Sequence, residues 1–117
     1  MTYVDGFLLA VPKAHLEGYK RMAAKMSKVW MDNGALSYVE AAADDVPYGE
    51  LTSFPRAVMA KEDETVIFAW VTYKSRADRD RIMKIVMDDP TMQAEFEKLP
   101  IDGKRMIFGG FEAFVQH

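Results

Sequence analysis

"TVIFAWVTY", residues 65–73, decides the fold. Nine residues dense in β-branched and aromatic side chains read as a strand. A strand on a sheet covered from one side alternates apolar and polar residues. This one does not. Val66, Phe68 and Trp70 share one face, Ile67, Ala69 and Val71 the other, and neither tolerates water. The sheet must therefore be covered on both sides, at roughly 25 cal/mol per Å² of apolar area.

Working outward, "TYVDGFLLAV" (2–11) reads as another aromatic, apolar strand. Pro12 is expected to open a helix, where its missing N–H is harmless. Leu16, Tyr19, Met22, Ala23, Met26, Val29 and Trp30 then recur at helical spacing, and Asn33-Gly34 supplies the stop. "ALSYVEAAA" (35–43) is a weaker strand, and Asp44 to Gly49 is turn material. Residues 50–61 read either as a short helix with Pro55 in its first turn or as a loop across a cavity mouth. After 65–73, Ser75 and Asp78 begin a helix with an Ile82, Met83, Val86, Met87 stripe. Asp89-Pro90 breaks it, a short piece runs to Pro100, and Asp102-Gly103 turns into a last strand, "KRMIFGGFEAFV" (104–115).

The order β-α-β-β-α-β predicts an α+β, ferredoxin-like domain over residues 1–117, a four-stranded antiparallel sheet with two helices on one face. Nothing obvious in the chain covers the other face, so a second copy is expected to do so, as a homodimer. Helices favour small and aliphatic neighbours, which assigns Val4, Gly6, Leu8, Ile67, Ala69 and Val71 to the helix side. Tyr3, Asp5, Phe7, Tyr38, Glu40, Phe68 and Trp70 are then expected to line a partly wet cavity between the copies, with Phe108 and, on strict alternation, Glu112. Gly109 and Gly110 suggest a bulge that could reset that parity, or room for a close neighbour.

Composition narrows the function. The 117 residues include no cysteine and two histidines, which removes disulfides, thiolate nucleophiles and a three-histidine zinc site; no metal or cofactor is expected. The cysteine count fits a reducing cytosol, and a cytoplasmic location is expected. Net charge is −3 without a basic stripe, so nucleic acid is not an expected partner. The longest apolar run, "VIFAWV", is too short to span a membrane, and "MTYVDGF" lacks the features of a secretory signal.

Four residues carry the expected chemistry. Asp5, a carboxylate in an aromatic strand, suits a proton acceptor with a raised pKa, or else pairs with an arginine such as Arg56 or Arg105. Glu40, Tyr3 and Tyr38 would assist it. Trp70, Phe68 and Phe108 would hold a small planar or partly apolar molecule, and Arg105 an anionic group. Two function classes remain: cofactor-independent acid–base or oxidative chemistry, and a non-enzymatic small-molecule-binding or stress-related module.

The segments "YVDGF", "TSFPRAV" and "DGKRMIFGGFE" together resemble the YbaA-like family, bacterial domain of unknown function family 1428. The resemblance spans nearly the whole chain. It implies a dimeric α+β barrel, in which two ferredoxin-like sheets face each other, and it brings no catalytic residues or cofactor. The wider superfamily includes cofactor-independent monooxygenases with a cavity tryptophan, tyrosines and asparagine, and haem enzymes with a helical histidine. Trp70 matches the former by type; the sole asparagine, Asn33, sits in a helix-ending "DNG". His15 and His117 match the haem ligand poorly.

Overall fold

The computed structural model describes residues 2–117. Strands β1 (Tyr3–Pro12), β2 (Ser37–Ala42), β3 (Glu64–Tyr73) and β4 (Ile107–Glu112) form one antiparallel sheet in the order β2-β3-β1-β4. Helices α1 (Leu16–Asp32), α3 (Arg76–Asp88) and α4 (Pro90–Glu97) accompany it, with a one-turn helix α2 (Phe54–Ala57). This is the α+β, ferredoxin-like arrangement expected, and within one chain the sheet stays open rather than closing into a barrel.

Local chemistry explains the boundaries. Ser75 Oγ accepts from Asp78 N–H to start α3, and Asp89 accepts from Thr91 N–H to start α4 with Pro90 in its first turn. Ser53 does the same for α2 with Arg56 N–H. Gly34 takes φ 110° after α1, a left-handed conformation that glycine adopts without strain. Pro12 does not open α1. It is the last residue of β1 and precedes a single 3-10 turn, Lys13–His15.

The register decides which face is which. Tyr3 pairs with Tyr73, Asp5 with Val71, Phe7 with Ala69 and Leu9 with Ile67. These residues share one face, and it is the helix face: Tyr3, Val71 and Tyr73 pack with Trp30, Ile82 and Val86, while Leu9 and Ile67 pack with Tyr19 and Met22. The assignment of β3 is therefore as expected and that of β1 is inverted. Val4, Gly6 and Leu8 face away from the helices, and Tyr3 and Asp5 lie under them.

The far face is not bare throughout. The segment from α2 lays Val58 on Ala10 and Val66, and Phe54 meets Phe68 edge-on at 5.8 Å. Phe68 stays 42 % exposed despite that contact, and beyond the cap Ile107 (43 %) and Phe111 (64 %) stand open.

β4 pairs with β1 without a bulge, from Ile107↔Leu8 to Glu112↔Tyr3. Gly110 lies opposite Asp5, and a Cβ there would sit 2.4 Å from Tyr3 Oη and 2.9 Å from Arg79 Nη2. The glycine leaves room for that tyrosine and arginine. At Gly109, on the far face, a Cβ would meet only Phe111, at ordinary contact distance.

Candidate functional site

β1 carries Asp5 onto the helix face, where it is 3 % exposed. A buried carboxylate needs donors. Tyr73, two strand positions beyond the residue opposite Asp5, donates to Oδ2 at 2.9 Å, and Trp30 Nε1 donates to the Tyr73 hydroxyl at 3.1 Å. On the other side Arg79 Nη1 of α3 donates to Oδ1 at 2.9 Å, and its Nη2 donates to Tyr3 Oη at 3.2 Å. Arg79 Nε lies 2.9 Å from Asp80 Oδ1, off the line of its N–H and without a hydrogen-bond partner. The result is a continuous polar chain, Trp30–Tyr73–Asp5–Arg79–Tyr3, inside an apolar layer.

Asp5 and Arg79, two members of this chain, floor a cavity of about 380 Å³ between sheet and α3. Phe7, Met83, Met87 and Phe108 form its apolar walls, and Asp80 and Lys84 add charge. Loss of water pushes the Asp5 carboxyl above its ordinary range; the Tyr73 hydroxyl and the Arg79 charge pull it down without reversing the shift. Burial and the adjacent Asp5 charge push the Tyr73 phenol up, so it remains a donor. The floor thus holds a shielded carboxylate with elevated proton affinity beside a fixed cation.

Glu40 occupies a different place. It lies on the helix face of β2, opposite Ala69, with β3 between it and β1. Tyr19 of α1 donates to its Oε1 and Tyr38 donates to Oε2. Burial and the Glu40 charge push both phenols well above their usual range. A second cavity, about 270 Å³, opens here between α1 and β2. Asp5 and Glu40 therefore floor separate pockets rather than the single cavity expected of them, and Glu40 does not assist Asp5.

The remaining expected residues divide further. Phe108 joins Asp5 as a wall of the first cavity, and Tyr3 reaches Asp5 through Arg79. Trp70 and Phe68 lie on the opposite face of the sheet, ring centroids 5.4 Å apart, and cannot stack a molecule against Tyr3 or Tyr38. Arg105 is engaged: Nη1 and Nη2 both donate to Glu64 at 2.8 Å, Nη1 also to Met59 O, and Nε to Asp102. Arg56 donates to the Tyr48 and Gly49 carbonyls and lies over the Tyr48 ring. Neither meets Asp5.

Sequence reasoning missed Arg79, Tyr73 and Tyr19 as site residues. Arg79 precedes Ile82 and Met83 by three and four residues, so it belongs to the inward stripe of α3. A charged residue on such a stripe was the available signal. Among the described residues, no group of three histidine, aspartate or glutamate side chains is placed to hold a metal ion, and no helix is long and apolar enough to cross a membrane.

Residues 2–103 match the family described as "Protein of unknown function (DUF1428)". The chain belongs to that family. It is 47 % identical over 115 residues to "Uncharacterized protein YbaA" of Escherichia coli strain K12, covering 98 % of both chains. Its fold resembles a dimeric ferredoxin-like protein from an uncultured marine organism (TM-score 0.67, 9 % identity, 100 % of this chain and 98 % of that one). It also resembles SnoaB, a cofactor-independent oxygenase from Streptomyces nogalater (TM-score 0.54, 14 % identity, 98 % and 93 %). At those identities the likeness speaks for the fold alone.

Proposed function

We propose that the protein is a homodimer, closed through the far face of its sheet, in which each protomer binds a small, partly apolar molecule in the Asp5–Arg79 cavity. The observation that carries the binding site is a carboxylate 3 % exposed, beside a fixed guanidinium, at the floor of a cavity walled by Met and Phe. A ligand with an apolar body and one hydrogen-bonding or anionic group fits those walls and Arg79. Acid–base chemistry is the reaction class favoured, with Asp5 as the proton acceptor and Tyr73 and Arg79 orienting it. The oxidative alternative loses its tryptophan, since Trp70 lies on the other side of the sheet. The dimer is supported by Phe68, Ile107 and Phe111, an apolar patch that α2 leaves partly open. The dimeric ferredoxin-like neighbour agrees with it. A cytoplasmic location accords with a cysteine-free chain.

The test is a melting-temperature screen with small aromatic carboxylates, phenols and lactones, run on the full chain and on Met87→Trp. Met87 is exposed at the cavity wall, so the substitution fills the cavity without touching the core. The expected result is stabilisation by about 5 °C or more from at least one class, at saturating ligand, absent in Met87→Trp. No stabilising compound, or stabilisation that survives the substitution, overturns the reading.

A further inference from the structure

The second cavity raises a charge problem. Glu40 has two donors, both neutral phenols, and the raised proton affinity of Tyr19 and Tyr38 keeps them neutral. Among the described residues no lysine, arginine or histidine forms an ion pair with Glu40. Lys20 lines the same cavity, but its ammonium pairs with Glu17 at 3.4 Å on the exposed side of α1. A half-buried carboxylate with hydrogen bonds but no counter-charge is an incomplete arrangement. Each of its oxygens accepts one hydrogen bond and keeps a further lone pair.

The surroundings specify what completes it. The Tyr19 and Tyr38 hydroxyls flank the carboxylate and hold its two oxygens in place, aimed at one position for a further donor. The walls are small or aliphatic, with Ala23, Ala24 and Ala41 leaving the space and Ile67 closing it on the sheet side. We propose that the Glu40 cavity is a binding site for a small organic cation, a primary ammonium group on a compact apolar body. The ammonium donates to Glu40 between the two phenols, and the apolar part lies against the alanines of α1 and β2. The site is separate from the Asp5 cavity and does not depend on the reading given for it.

Calorimetric titration of the full chain with benzylammonium, and with benzyl alcohol as its neutral counterpart, tests the assignment. The expected result is saturable one-to-one binding of benzylammonium, with the alcohol at least about tenfold weaker. Glu40→Gln, which keeps one carbonyl acceptor, lets the other phenol turn to accept from the amide NH2 and removes the charge, should weaken the amine about tenfold and leave the alcohol unchanged. Ser27→Leu fills the cavity from the outer surface of α1, leaves the Glu40 cluster intact and should abolish both; it decides the matter if the glutamine variant does not fold. Equal binding of amine and alcohol, no saturable heat up to about 10 mM, or amine affinity unchanged in either variant overturns the proposal.

Discussion

Two carboxylate–guanidinium pairs in this molecule have opposite characters. Glu64 and Arg105 meet fork to fork, both oxygens bonded at 2.8 Å, with Lys61 N–H donating as well. Asp5 and Arg79 share one bond at 2.9 Å, because the other arm of Arg79 is given to Tyr3. The two carboxylate side chains are almost equally hidden, 5 % and 4 % exposed. Yet the Arg105 bonds hold Glu64 down at about 2, whereas burial pushes Asp5 up. An arginine beside an acid does not by itself make a structural ion pair. The balance of bonds to the charged form against lost hydration decides, and Asp5 lies deeper. The first pair fastens the start of β3 to the turn before β4; the second floors a cavity.

The largest effect should come from removing each cation. Arg79→Ala leaves Asp5 buried beside Tyr73 alone and should cost about 3 kcal/mol in urea unfolding at neutral pH. Arg105→Ala leaves Glu64 nearer to water with its Lys61 bond, and about half that loss is expected. Equal losses would break the contrast. Next in size is Gly110→Ala, whose methyl displaces Tyr3 and Arg79 from the Asp5 side and should cost about 2 kcal/mol, while Gly109→Ala stays within about 0.5. The smallest and most diagnostic effect is the pH slope. Asp5 is raised from 3.8, so its stabilising contribution is complete below that value and fades as pH rises through the folded pKa. Glu64 is lowered from 4.5 to about 2, so its contribution is complete above 4.5 and fades as pH falls toward 2. Asp5→Asn should therefore remove a loss of stability on the rising limb, and Glu64→Gln a loss on the acid limb. Denaturation curves between about pH 2 and pH 7 separate the two; parallel profiles would show that the pairs do not differ.

Much of this fold is legible in the residues. The helix start at Ser75 announces itself through its cap, Asp89-Pro90 marks the break before α4, residues 50–61 leave a short helix and a loop both open, and the strand–helix order follows from periodicity. The faces do not. Alternation assigns sides only when one side is polar, and β1 and β3 are apolar on both, so the pairing of Asp5 with Val71 had to come from register. That parity inverted β1 and β2 alike and put Asp5, Tyr38 and Glu40 beside Trp70, when the sheet itself separates them. Gly109-Gly110 left two alternatives open for a related reason: the bulge is absent, and room for a close neighbour holds at Gly110 alone, where a tyrosine and an arginine arrive from other elements that no local pattern records.

The tryptophans offer a practical consequence. The chain has two, and the sheet stands between them. Trp30 is hydrogen-bonded to Tyr73, which in turn donates to Asp5, while Trp70 packs against Phe68 on the outer surface. Under the proposed binding and pairing, ultraviolet emission divides into two natural channels, an inner indole linked through Tyr73 to the Asp5 floor of the first cavity and an outer indole on the face that would meet a second copy. Single Trp→Phe replacements would let one spectrometer follow occupancy and association independently, with no dye attached.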